Sequence, residues 1–209
     1  RWRTGNAFVG QWQGRPIVLV RSGMGCGSAK AALAEVAGKF DLEKAVSIGY
    51  AGALDPALRV GDLVVADKVI YLDTLQTHSL PETPPESPSE VCRGTLLTVD
   101  TPAARPQEKK ELRDQYSAVA VDMETAALAE EAQARNLPFL SVRCITDTAD
   151  QELIDCSHLV AEDGDVSKLK AGWHILTHPG DLKGMIDLGK NAQKATAHLT
   201  VYVTHLLKD

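Results

Sequence analysis

Two carboxylates, Glu124 and Asp147, stand where apolar, strand-like stretches give out. Val119 to Ala127 reads as a strand running straight into a helix, with Glu124 at the junction, and Phe139 to Asp147 ends in a second acid after one intervening helix. An acid at the end of an apolar strand risks desolvation, which raises its pKa and lets it hold or share a proton near neutrality. Protonating a leaving purine at a ring nitrogen needs such a group. The alternative use of Asp147 is to cap the following helix or loop. Glu124 has a similar choice. Its charge suits a helix N-terminus, or it accepts hydrogen bonds from the vicinal hydroxyls of a ribose while Met123 packs against the sugar. Asp122 is the weaker candidate, free to point away or to satisfy loop amides.

Those acids need elements to hold them. Asn6 to Gln11 and Pro16 to Val20 read as two short strands joined at Gln13-Gly14, a hairpin signal. The second runs into Ser22-Gly23-Met24-Gly25, and an alanine-rich helix follows over 29–37, with Gly38 as its C-cap. A strand, a glycine-rich turn and a helix start leave backbone N–H groups aimed at an anion or polar ligand. The bland reading is a tight turn that needs glycine geometry. Lys44 to Ile48 reads as a strand ending in a small-residue turn, Gly49-Tyr50-Ala51-Gly52, and a polar loop precedes the β-rich run from Leu63 to Leu72. The proline-rich 77–89 stretch reads as a loop or lid. Strand character resumes over Gly94 to Val99, and Pro106 to Gln115 reads as a charged, exposed helix. Asn136-Leu137-Pro138 closes the helix that starts near Thr125. Residues 150–164 are acidic and irregular, and 167–207 read as two helices broken at His178-Pro179-Gly180.

Strands alternating with helices, several of them continuously apolar, argue for a buried, largely parallel sheet. Ligands in such folds bind beyond the carboxyl ends of the strands. Ser22–Gly25, Gly49–Gly52, Asp122–Glu124 and Thr146–Asp147 all fall there. That convergence marks a site.

Other chemistries fit less well. A chain of 209 residues suits one domain with a sizeable core, and a net charge of -6 leaves no basic footprint for nucleic acid. The four cysteines form no C-x-x-C pair, which points to reduced thiols and a cytoplasmic setting. No apolar run approaches a membrane span and no signal-peptide pattern is present. His174 and His178 are spaced i, i+4, but Ile175 stands where H-E-x-x-H has its glutamate, so no metal or other cofactor is expected. There is no G-x-S-x-G nucleophile elbow, no P-loop and no G-x-G-x-x-G dinucleotide fingerprint.

Four segments in order carry a resemblance. Ser22-Gly23-Met24-Gly25, Ile48 to Gly52 with Val60 to Val65, Val121-Asp122-Met123-Glu124, and Val142 to Asp150 together resemble the purine/uridine phosphorylase and nucleosidase superfamily, which includes the methylthioadenosine/adenosylhomocysteine nucleosidases. The resemblance implies an α/β three-layer sandwich around a central mixed, largely parallel sheet, and cleavage of a nucleoside's N-glycosidic bond. By position it implies that Asp147 assists departure of the base and that Glu124 binds ribose hydroxyls over Met123. It further implies that Thr101, Pro102 and Ala103 flank the base, that Tyr50, Ala51 and Gly52 line the substrate side, and that Ser22 to Gly25 serve the nucleophile side. A homo-oligomer, dimer or higher, is the family expectation. The tail, with Trp173 and His178 to Leu182, resembles the hopanoid-associated branch, thought to remove adenine from an adenosyl lipid.

Three departures bear on the nucleophile. Phosphorylases of this superfamily place an arginine two residues before the Gly49 position, where this chain has Ser47, and tend to carry Ser or Thr at Tyr50. An anion clamp without its arginine is weaker, so hydrolysis is expected over phosphorolysis. Nucleosidases activate water with a glutamate just after the first strand, and one domain over 1–209 lacking that first strand is the expectation here. A catalytically inactive nucleoside-binding module is the reading of a different class.

Overall fold

In the computed structural model, residues 6–82, 90–153 and 182–208 are described. The chain opens with the expected hairpin: β1 (Asn6–Trp12) and β2 (Arg15–Arg21) pair antiparallel through Gln13 and Gly14, both at positive φ. Left-handed conformation at both central residues matches the twist of a two-residue hairpin. Helix α1 (Cys26–Ala37) starts earlier than the alanine run suggested, and Gly38 caps it in right-handed conformation, its N–H on Ala34 O.

The main sheet comprises β3 (Ala45–Ala53), β4 (Leu63–Tyr71), β5 (Thr77–Ser79), β6 (Val91–Thr98), β7 (Ala120–Asp122) and β8 (Phe139–Asp147), in the order β5-β4-β6-β7-β3-β8. The long ladders, β3 with β8 and β4 with β6, are parallel, while β4–β5 and β3–β7 are antiparallel. The first residues of β4 also pair with β8, Leu63 opposite Cys144, so the sheet curls back on itself.

Two expectations need correction. Gly49 to Gly52 is no turn, because β3 runs straight through it to Ala53. The small residues serve close approach within the strand. A Cβ on Gly49 would lie 3.6 Å from the Arg143 guanidinium, and one on Gly52 would lie 2.7 Å from Asp147 Oδ2. The lid reading of 77–89 also fails at its start, since Thr77–Ser79 is the edge strand β5, paired with Ile70 to Lys68.

Helices α2 (Pro106–Tyr116), α3 (Thr125–Ala134) and α4 (Leu182–Leu206) complete the described elements. The first of the two tail helices and the His178-Pro179-Gly180 break lie outside the described residues.

Layering follows from strand alternation. β8 is buried along its whole length, and its residues alternate between two cores. Phe139 and Ile145 join the α3 side with Ala126, Ala129 and Ala132. Leu140, Val142 and Cys144 join the other side with Ala195 and Tyr202 of α4. Alanine-rich α3 fits closely against the sheet and α1 packs on α3, and each fully buried Val or Leu contributes about 1.5–3 kcal/mol. A third cluster, Leu97, Val99, Ala103 and Val121 with Leu112 and Tyr116 of α2, seats that helix at the strand ends. The result is the expected three-layer α/β sandwich.

Candidate active site

The site grows from the end of β7. Asp122 is buried and accepts from the Thr98 hydroxyl at 2.7 Å, the Thr125 N–H at 3.1 Å, the Thr125 hydroxyl and Arg143 Nε at 2.8 Å. Thr98 Oγ1 in turn accepts the Ala126 N–H at 3.0 Å. Two orphan donors at the start of α3 are thus satisfied by Asp122 and Thr98. The start of the helix is therefore capped without the Glu124 side chain. Glu124 occupies the N-cap position, but its side chain makes no cap bond.

Instead, Glu124 Oε1 accepts the Gly25 N–H at 2.7 Å. The Cys26 thiol donates to Met123 O at 3.3 Å beside it. The turn Ser22–Gly25 and the Met123–Glu124 pair therefore form one unit, with Gly23 and Gly25 both at positive φ, where only glycine is unstrained. Burial pushes the Glu124 carboxyl above its ordinary value of 4.5. The Gly25 N–H opposes that, the Asp122 charge adds to it, and the Arg143 guanidinium and Met123 backbone oppose it again. A partly desolvated acceptor beside an apolar methionine suits neutral hydroxyl donors.

Asp147 closes β8 on the far side of β3 from β7, in register with Gly52 and 4% exposed. Its Oδ1 accepts from the Thr146 hydroxyl at 3.0 Å. Its Oδ2 meets Lys109 Nζ at 2.6 Å. Lys109 is fully buried and also donates to Thr148 O at 2.8 Å and Gln151 O at 3.1 Å. This corrects the reading of α2 as a merely exposed charged helix. The missed signal is spacing: Lys109, Leu112 and Tyr116 recur at i, i+3 and i+7 and share the face α2 turns inward.

Arg143, the other residue without an expected role, is 2% exposed. Besides Asp122 it donates to Val142 O at 3.1 Å, Ser47 Oγ at 2.9 Å and Thr125 Oγ1 at 2.6 Å. A guanidinium therefore does reach Ser47, but its donors point inward.

The loop of Thr101, Pro102 and Ala103 is anchored at both ends. Tyr71 donates to Asp100 at 2.8 Å before it, and the Leu153 N–H donates to Ala104 O at 2.8 Å after it. Thr101 and Pro102 are exposed and Ala103 is buried. Ala51 is buried, whereas Tyr50 is turned toward α4, its hydroxyl 2.7 Å from Thr196 Oγ1. Met24 is exposed, and among the described residues Ser22 bonds locally, to Gly23 O at 3.2 Å. The structure thus joins Glu124 to Gly25 and Gly52 to Asp147, with Tyr50 directed elsewhere. Among the described residues no group of three or more His, Cys, Asp or Glu is arranged to hold a metal, and no helix is long and apolar enough to cross a membrane. His174 and His178 lie outside them.

Comparison with known proteins adds a family. Residues 2–171 match the family model of the Phosphorylase superfamily. The chain belongs to this superfamily. As one of its members it is an enzyme of N-glycosyl bond cleavage. A 5'-methylthioadenosine/S-adenosylhomocysteine nucleosidase of Baumannia cicadellinicola is 32% identical over 169 residues, covering 69% of this chain and 74% of that protein. One from Listeria welshimeri is 29% identical over 173 residues, with the same coverages. Among solved structures, the nucleosidase of Neisseria meningitidis in complex with methylthio-immucillin-A superposes with TM-score 0.72 at 21% identity, over 97% of this chain and 85% of that one. Futalosine hydrolase of Helicobacter pylori superposes with TM-score 0.64 at 20% identity, over 95% and 84%. Both structures share the superfamily fold described above.

Proposed function

We propose that this superfamily member hydrolyses the N-glycosidic bond of an adenine-type purine nucleoside. The observation that carries the reading is the pair of acids in unlike surroundings on β8 and just after β7, the two strands that flank β3. Asp147 is braced by an ammonium, and Glu124 is partly desolvated on a glycine turn. Such a division suits a reaction with one carboxylate facing the leaving group and one acceptor at the sugar, formally akin to glycoside hydrolysis. Asp147 hydrogen-bonds or protonates the departing purine, between loop Thr101–Ala103 and Ala51–Gly52. Glu124 accepts from the ribose hydroxyls above Met123. Water attacks the anomeric carbon of an oxocarbenium-like sugar. The relatives named methylthioadenosine/adenosylhomocysteine nucleosidase favour an adenine base and a small molecule as partner.

Two features favour water over phosphate as the acceptor. The Arg143 guanidinium beside Ser47 spends its donors on Asp122, Val142, Ser47 and Thr125. The Gly25 N–H of the glycine turn is taken by a carboxylate, which would repel a phosphate seated there.

The test is incubation with adenosine and methylthioadenosine, with and without inorganic phosphate, following adenine and the sugar product. Adenine and free sugar at equal rates in both conditions are expected. Release that strictly requires phosphate and yields the sugar 1-phosphate overturns hydrolysis. Tight adenine binding by calorimetry without turnover makes the protein a binding module instead.

A further inference from the structure

We propose that Lys109 is a positioning residue for Asp147, holding the carboxylate in the orientation from which it meets the departing base. The inference rests on the nucleosidase reading above and deepens it. Lys109 is fully buried, and a lysine in that state carries a large desolvation cost unless every donor is satisfied. Here the ammonium has three donors and three acceptors: Asp147 Oδ2, Thr148 O and Gln151 O. The three acceptors fix Nζ in space, and Nζ in turn fixes Oδ2.

The other oxygen is set from within β8, by the Thr146 hydroxyl. The backbone behind it is tied as well, since Asn191 of α4 donates to Thr146 O at 2.9 Å. Oδ2 also lies against the bare Cα of Gly52, where a Cβ would come within 2.7 Å. The carboxylate is thus bounded by an ammonium, a hydroxyl and a glycine backbone. Only the ammonium comes from a distant segment that also leads into the base-side loop, because α2 begins just after Thr101 to Ala104. One side chain therefore couples the loop flanking the base, the turn at 148–151 and the acid.

A purely structural lysine would cost stability when removed and leave the reaction's dependence on Asp147 untouched. A positioning lysine acts through Asp147, and its effect disappears once Asp147 is disabled. The experiment is a double-mutant cycle of Lys109→Met and Asp147→Asn, with Lys109→Gln as a second neutral variant and Lys109→Arg retaining the charge. Folding of each is checked by thermal melting, and kcat and KM are measured for release of adenine from the nucleoside the unaltered protein turns over best. We expect Lys109→Met and Lys109→Gln to lower kcat about thirtyfold or more with KM within about threefold, the size of effect that sub-ångström misplacement produces. In the Asp147→Asn background the same changes should alter kcat by less than about threefold. Lys109→Arg should recover most of the loss. Additive losses in the two backgrounds, or a folded Lys109→Arg as impaired as Lys109→Met, overturn the role of Lys109 alone. No adenine release by the unaltered protein from any purine nucleoside overturns the activity on which it rests.

Discussion

Gly52→Ala adds one methyl group at the most crowded point of the site. The new Cβ would sit 2.7 Å from Asp147 Oδ2 and 3.4 Å from its Cγ. An ordinary carbon–oxygen contact lies near 3.3 Å, so one side must yield by roughly 0.6 Å. The strand yields least. Gly52 is paired to Val121 on one side and Asp147 on the other, with a register irregularity already at Ala51. The carboxylate therefore moves, which disturbs its 2.6 Å bond to Lys109. The backbone conformation at Gly52 is open to alanine, since it is absent from the positive-φ residues, and a less flexible unfolded chain offsets part of the strain. The net stability cost should be about 1–3 kcal/mol, typical of overpacking. The kinetic cost should be larger, on the order of a hundredfold in kcat, because the acid leaves its productive position. Urea melts give the first figure and steady-state adenine release gives the second. A Gly52→Ala protein with kcat within about threefold of the unaltered one would refute the placement of Asp147 at the leaving base.

Arg143→Met leaves Asp122 without its buried cation and should cost about 3–5 kcal/mol. For a chain of this size that lowers Tm by on the order of 10 °C, while Asp122→Asn in the same protein should return part of the loss. A cost below about 1 kcal/mol would show that the pair is not structural. For Glu124 the sign follows from its raised pKa. The folded protein holds that proton to higher pH than the unfolded chain, so the ionised group costs stability as pH rises past 4.5. Glu124→Gln, whose amide oxygen can still accept from Gly25, should gain stability relative to the unaltered protein between pH 4.5 and 7 in paired urea melts. A relative loss over that window would contradict the desolvation of Glu124.

The alternation of strand and helix, the hairpin turn and the acids at strand ends were legible because each is written in a short window. Gln13-Gly14 sets a turn by itself, and the apolar run of β8 needs no partner to read as buried. Gly49 and Gly52 were misread as a turn because glycine in a local window signals a break. Their reason lies across the ladder, where Gly49 faces Arg143 and Gly52 faces Asp147. Thr77–Ser79 is a strand only because β4 offers an edge. Lys109 was hidden differently. In Pro106 to Tyr116, dominated by polar and charged residues, one inward lysine looks like its neighbours, and its partner Asp147 is far along the chain. Pairings between distant charges leave no local period. The helical face shared with Leu112 and Tyr116 was the one available clue.

The choice between water and phosphate turns on where a single positive charge points. At the Ser47 position the superfamily's phosphorylases are expected to carry an arginine on β3 itself. Here the guanidinium comes from the neighbouring strand β8, and Ser47 is an acceptor for it. That exchange changes the function of the charge. An arginine on β3 would have free donors to offer an anion in a bidentate fork. Arg143 instead bonds a buried carboxylate, a backbone carbonyl and two hydroxyls, so binding an anion would first require it to abandon Asp122. Asp122 is also the group that satisfies the start of α3, the helix on whose first turn Glu124 depends. Recruiting Arg143 to phosphate would therefore loosen Glu124, the residue proposed to bind the sugar. A site arranged this way gains nothing from an anionic acceptor, and a neutral one leaves the Asp122–Arg143 brace intact.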